Sequence, residues 1–347
     1  MRMLGFTPRF PRASVLIAFA LFSGAAMADD AADCAGPDPA TGIPACTRLI
    51  AQQGAAADAL ADAYVGRAKH RTVQNEFDAA LADLNEALSR NPSHADAYHN
   101  RGAVYSLQGR YDEALAALAE AIRLAPEEAA ESYHTRGRIY LAVGDVATAL
   151  AELDAALGVD PRHVDALISR GGAYQLNGDV ERAMADYDEA LRTDPDNPVA
   201  LSNRGALYLM TSRFGPAIAD LDRAIELDAS YGQAYLNRAV TRVFQRQFEQ
   251  AMPDFDRALE LEPDNPEYYF QRAATYALQG QAEKAIADFD QVIRLSPESI
   301  SPYAARGGLL EALGRRDAAI ADQRQVLSLD PSNEKAKEAL GRLGAAP

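Results

Sequence analysis

The chain has 347 residues, 71 of them alanine, with no tryptophan and two cysteines; 48% is hydrophobic, 7% aromatic and 24% charged. That balance predicts a mostly helical protein whose helices approach through small side chains rather than around one thick core. Length alone suggests about two domains; the ordinary apolar content excludes long disorder, and a formal net charge of −16 argues against nucleic acid as a partner.

In chain order, the first element is an export signal. Arg2, Arg9 and Arg12 precede the uncharged apolar run SVLIAFALFSGAA (14–26), and Ala26 and Ala28 precede Asp29. This is the three-part pattern of a signal peptide, residues 1–28, cut after Ala28. The run is short for a membrane anchor, so the mature chain is expected to carry no integral span. Asp33 before Cys34 is unlike a lipoprotein site. Removing 1–28 takes away three arginines and no acid, moving the charge from −16 to −19. Cys34 and Cys46 then lie in the exported part, around Gly36, Pro37, Pro39 and Gly42. An even count in an oxidising compartment predicts one disulfide stapling an N-terminal capping segment, residues 29–60. Two free thiols or a metal pair would need a reducing compartment or further ligands.

Beyond it the chain repeats. Pro92, Pro126, Pro161, Pro195, Pro263, Pro297 and Pro331 recur every 34 or 35 residues, with Ala229 at the one missing step. Eight units follow: 61–94, 95–128, 130–163, 164–197, 198–231, 232–265, 266–299 and 300–333, with one extra residue near Ala129. Numbered 1 to 34 within each unit, the proline stands at position 32. Position 20 is alanine in all eight (Ala80, Ala114, Ala149, Ala183, Ala217, Ala251, Ala285, Ala319). Position 8 is always alanine or glycine, position 27 is alanine except for Val292 and Val326, and position 4 is tyrosine except for Leu167 and Leu201. Positions 4, 8 and 11 share one face of a first helix; 20, 24 and 27 share one face of a second. Gly109, Gly144, Gly178, Gly280 and Gly314 mark the turn between them. One such hairpin cannot bury its apolar face alone, so neighbours must stack.

Over about four fifths of its length the chain resembles the tetratricopeptide repeat (TPR). The resemblance implies an all-α, right-handed TPR solenoid of eight helix-turn-helix repeats. An N-terminal half-repeat (IPACTRLI, 43–50) places Cys46 at position 24 and Leu49 at 27. A C-terminal capping helix (NEKAKEALGRL, 333–343), which begins at the last residue of the final repeat and otherwise occupies the segment 334–347 with the tail, turns Ala336, Leu340 and Leu343 inward. The whole layout is similar to exported bacterial TPR proteins.

Position 7 is arginine in every unit: Arg67, Arg101, Arg136, Arg170, Arg204, Arg238, Arg272 and Arg306. Position 23 is acidic in all but one: Asp83, Glu152, Asp186, Asp220, Asp254, Asp288 and Asp322, with Ala117 the exception. A half-buried guanidinium needs an acceptor that fits its fork. This predicts an arginine–carboxylate ladder between stacked helices, serving registry.

The resemblance also implies that positions 2, 5, 6, 9 and 12 of the first helices face a ligand in a concave groove. The candidate peptide-binding residues are Asp62, Asp96, Glu131 and Asp165 at position 2, Asn100, Asn203, Asn237 and Gln271 at position 6, and Phe270 at position 5. Amides both donate and accept, so they suit an extended backbone; the acids make the N-terminal half of the groove negative. His99 and His134, at position 5 of neighbouring units, read as neutral surface histidines. The carboxylate clamp known from other TPR proteins is not matched, because Glu131 stands where that clamp needs a cation. No catalytic, metal or cofactor motif stands out among the five histidines or the glycines. The expectation is a non-enzymatic interaction scaffold in the bacterial periplasm, without cofactor, metal or nucleic acid, binding extended or basic segments of other proteins. The alternative is a periplasmic assembly factor or holding chaperone for envelope proteins. Partner identity and oligomeric state are not readable from the sequence.

Overall fold

The computed structural model describes residues 29–52 and 54–346. The expected signal peptide, with its cut after Ala28, lies outside them. All regular structure among the described residues is helical. The chain divides between Asn177 and Gly178 into two compact units.

The first unit opens with a short helix, α1 (29–35), then α2 (Pro39–Ile50). Three helix pairs carry the repeats: α3 (Ala57–Val73) with α4 (Phe77–Arg90), α5 (Ala95–Leu107) with α6 (Tyr111–Leu124), and α7 (Ala130–Ala142) with α8 (Val146–Val159). α9 (Val164–Leu176) closes the unit. The second unit begins with α10 (Val180–Thr193) and continues as α11 (Pro198–Met210) with α12 (Phe214–Leu227), α13 (Gly232–Phe244) with α14 (Phe248–Leu261), α15 (Pro266–Leu278) with α16 (Ala282–Leu295), and α17 (Ile300–Ala312) with α18 (Arg316–Leu329). α19 (Glu334–Arg342) ends it.

Local chemistry sets the ends of these helices. Side chains of Asp38, Asp145, Asp179, Asn197 and Asn333 accept a backbone N–H of the first turn, as do the less usual caps His94 and His163. Position 15, between first and second helix, has left-handed backbone in all eight repeats. Glycine supplies it five times; Asn75, Ser212 and Arg246 adopt it with φ of 61°, 58° and 58°.

Packing follows the small-residue pattern. Every position-20 alanine is fully buried. A Cβ on Gly137 would stand 2.8 Å from Leu153 Cγ, and one on Gly205 2.8 Å from Leu221 Cγ, so the hairpin closes because position 8 is small. The extra residue near Ala129 is absorbed by a 3-10 turn, Pro126–Glu128, which leaves Ala129 buried.

The N-terminal cap is a disulfide built onto a repeat. Cys34 and Cys46 are bonded, with Cα atoms 4.9 Å apart, and tie α1 to α2. Gly66 lies under the sulfurs; a Cβ there would meet Cys34 Sγ at 2.8 Å. Buried His70 Nε2 lies 3.0 Å from the Cys34 carbonyl oxygen, and Gly42 leaves room for that ring. At the other end α19 buries Ala336, Ala339 and Leu340, while Leu343 becomes its C-cap. No helix among the described residues is long and apolar enough to cross a membrane.

Candidate functional site

The arginines at position 7 are structural on two sides. Six of them reach a carboxylate on the second helix of their own hairpin: Arg67 to Asp83 (2.9 and 2.6 Å), Arg204 to Asp220 (2.7 and 2.9 Å), Arg238 to Asp254, Arg272 to Asp288 and Arg306 to Asp322, all two-pronged, with Arg136 to Glu152 through one nitrogen. Arg101, whose hairpin has Ala117 at position 23, reaches Asn85 of the preceding repeat instead. Their remaining Nη1 reaches position 25 of the preceding repeat: Arg170 to Asp154, Arg204 to Asp188 at 2.8 Å, Arg238 to Asp222, Arg272 to Asp256 and Arg306 to Asp290. Arg67 does the same to Thr47 on α2, which confirms the half-repeat register. The ladder therefore has rungs both within and between hairpins, and the sequence reading had seen only position 23. Each guanidinium also lies over a tyrosine. Where position 4 is Leu167 or Leu201, the ring comes from position 11 instead, Tyr174 or Tyr208. Carboxylates hold Arg67 and Arg204 above the ordinary arginine range.

With the arginines engaged, the first-helix face carries the remaining polar chemistry. In the first unit two of the four acids at position 2 are held by histidines. His94 caps α5 through Nδ1, so its proton sits on Nε2 and is donated to Asp62 at 3.0 Å. His163 caps α9 in the same way and donates to Glu131 at 2.7 Å. His134 and His99 are not the surface histidines expected. His134 is buried, with Nε2 3.0 Å from Ser169 Oγ, and half-buried His99 lies 2.9 Å from Ser132 Oγ. Burial pushes His99 down. His134 and His163 hold the Glu131 carboxyl well below the usual range, and Glu131 in turn raises His163. Asp96 and Asp165 are exposed and form no ion pair among the described residues. Asn100 turns back to its own helix, donating to the Asp96 carbonyl. A cavity of about 280 Å³ opens here, lined by Lys69, Asp96, His99, Asn100 and Glu131.

The second unit presents a different face. Asn237 donates to Ser202 Oγ of the preceding repeat at 3.1 Å and accepts from Gln233, so this amide links repeats. Asn203 and Gln271 are half-buried. Phe270 packs edge-on against Phe289 at 5.5 Å and is partly core. A pocket of about 410 Å³ lies between α13 and α15, walled by Val240, Val243, Phe244 and Leu278. Phe244 and Leu278 belong to a row of exposed apolar side chains at the ends of first helices: Val73, Leu107, Val143 and Leu176 in the first unit, Met210, Phe244, Leu278 and Leu313 in the second. The sequence reading missed this row. Its signal was an apolar residue at position 13 or 14, where a hairpin needs none.

Comparison with known proteins agrees with this architecture. A family model described as "Tetratricopeptide repeat" matches residues 65–129, 134–198 and 236–300, and a second of the same description matches 300–333. Among solved structures, a chain of the APC/C hetero-tetramer Cut9–Hcn1 is similar at a TM-score of 0.66 and 18% identity, over 87% of this chain and 59% of that one. A tetratricopeptide repeat protein from Parabacteroides merdae gives 0.57 and 23%, over 73% of this chain and 100% of that one. PilW, a type IV pilus biogenesis factor, gives 0.56 and 24%, over 61% and 99%. At these identities the likeness is one of fold. A comparison with curated proteins finds no match.

Proposed function

We propose, from the premise that this chain belongs to the tetratricopeptide repeat family, that it is a non-catalytic interaction scaffold of the bacterial periplasm. It binds extended segments of partner proteins on the face formed by the first helices. One observation carries this reading: most position-7 arginines are engaged by internal carboxylates, which leaves exposed Asp96, beside an open cavity, and exposed Asp165 as carboxylates without an ion pair on that face. Such a face selects basic, extended segments. The disulfide of the N-terminal cap supports an exported location, since such bonds persist in oxidising compartments.

The alternative, an assembly factor or holding chaperone for envelope proteins, is favoured by the row of exposed apolar side chains, which suits unfolded chains. PilW, a type IV pilus biogenesis factor of similar fold, fits this second reading. Mild crosslinking in periplasm followed by pull-down separates the two. One stoichiometric partner supports the scaffold, and many unfolded clients support the chaperone. Capture that survives combined Asn203→Ala, Asn237→Ala and Phe270→Ala substitution would remove the second unit's part of the first-helix face from consideration, and capture that survives Asp96→Asn with Asp165→Asn would remove the acidic part.

A further inference from the structure

Glu131, His134 and His163 form a cluster that the scaffold reading does not use. Glu131 and His134 are one turn apart on α7, and His163 stands at the start of α9. One ligand atom from each lies within 4.8 Å of the other two. His163 Nε2 is 2.7 Å from one Glu131 oxygen, His134 Nδ1 is 3.6 Å from the other, and the two rings are 5.3 Å apart, tilted by 50°.

The decisive atom is His134 Nδ1. The ring is buried, and its Nε2 is already spent on Ser169 Oγ. Nδ1 is buried without a hydrogen-bond partner and faces a carboxylate oxygen beyond hydrogen-bonding distance. Whether that nitrogen holds a proton it cannot donate at this distance or a lone pair against the carboxylate, the arrangement is costly, and a cation between them relieves it.

We propose that Glu131, His134 and His163 bind a divalent transition-metal ion of the zinc class. Two imidazoles and one carboxylate are a zinc donor set, and three protein ligands leave a further position for water or a partner's side chain. That position opens towards solvent on the Glu131 side, where the carboxylate is 54% exposed while His134 is 5% exposed. Ser169 is the outer contact: its hydroxyl oxygen can accept the proton that His134 carries on Nε2 when Nδ1 ligates the metal. Binding through His163 Nε2 moves that ring's proton to Nδ1 and gives up its 3.3 Å cap bond from Ala166. The bond is long, and its loss is small beside metal ligation.

The first repeat is an internal control. Asp62 and His94 make the same acid–cap pair, but position 5 there is Val65, so the third ligand is missing.

The test is calorimetric titration of Zn²⁺ into the purified, chelator-treated chain at neutral pH, with visible spectroscopy of added Co²⁺ as a second readout. The expected result is one zinc per chain and a cobalt d–d spectrum of a low-coordinate site. His163→Asn keeps an N-cap of the kind used by Asn197 and Asn333 while deleting a ligand; it and Glu131→Gln should each weaken zinc binding by about tenfold or more. His94→Asn should leave it unchanged. Absence of a stoichiometric zinc event overturns the proposal, as does uptake that is equal in His163→Asn and the parent. If His134 merely takes a proton on acidification, seen by NMR, while zinc does not bind, the cluster is a proton site and the proposal fails.

Discussion

At the scale of single residues, the position-7 arginine is the feature that sets this chain apart from a plain small-residue stack. Arg204 is bonded at once to Asp220 in its own hairpin and to Asp188 in the one before. Removing it strands two carboxylates, one of them with a side chain only 13% exposed. Arg204→Leu should therefore cost about 2–3 kcal/mol in denaturant unfolding, discounted from the fully buried case because the guanidinium keeps some solvent. Arg204→Leu combined with Asp220→Leu should recover much of that loss, since it leaves no orphaned charge at the inner rung; equal destabilisation by the single and double changes would refute the pairing. The position-7 and position-23 columns were plain in the sequence, because each is nearly invariant along one chain. The position-25 column was not, because its partner sits sixteen residues later in the next repeat and the pairing depends on how hairpins stack. The position-15 turn gives a simpler residue-scale test. Ser212 holds a left-handed φ of 58° with a side chain that favours the right-handed region. Ser212→Gly should raise stability by about 0.5–1 kcal/mol, measured by the same unfolding assay.

At the scale of elements, the ends of helices carry more information than their middles. The disulfide fixes α1 and α2 against α3, and the space for it is made by Gly66 and Gly42. Its pairing was legible from two cysteines in a segment expected to be exported, but the packing of His70 against the Cys34 carbonyl was not, since nothing in sequence spacing joins residue 70 to residue 34. Closing a loop of this size contributes about 3 kcal/mol. Cys34→Ser with Cys46→Ser should thus lower hydrogen-exchange protection in α1 and α2 first, leaving α15 to α18 unchanged; uniform loss along the chain would contradict a local staple. The Asp145 cap of α8 makes a pH-dependent prediction. Hydrogen bonds from the Thr148 hydroxyl and then its backbone N–H hold the Asp145 carboxyl below its ordinary value. A depressed folded-state pKa means the cap stabilises fully above the unfolded carboxyl pKa of about 3.9 and is lost as pH falls through the folded value. The melting-temperature gap between the parent and Asp145→Ala should be widest near neutral pH and shrink in acid; a gap that widened in acid would reverse the sign and sink the assignment.

At the scale of the whole molecule, the net charge of −16 takes a more specific meaning once each acid is placed. Most carboxylates of the repeat positions 23 and 25 are neutralised by internal arginines, and Asp62 and Glu131 are held by histidines. Among the position-2 acids of the first four repeats, Asp96 and Asp165 remain exposed without an ion pair among the described residues. Of those four they alone present full charge to a partner, although position 2 is uniformly acidic through the first four repeats in sequence; the engagement of the other two comes from histidines 32 residues downstream, a separation no helical period reports. Binding of a basic extended peptide should therefore respond unequally to substitution. Each exposed carboxylate contributes about 0.2–1 kcal/mol to such a contact. Asp96→Asn with Asp165→Asn should weaken binding by roughly two- to thirty-fold at low salt, and the difference from the parent should vanish as the Debye length falls from about 10 Å to about 3 Å between 0.1 and 1 M salt. Asp62→Asn should have a smaller effect, because its carboxylate is already shared with His94. Fluorescence anisotropy of a labelled lysine-rich peptide across that salt range measures all three. Equal losses at Asp62 and at the Asp96–Asp165 pair, or affinity indifferent to salt, would mean that partners are taken by the exposed apolar row instead, and that the assembly-factor reading is the better one.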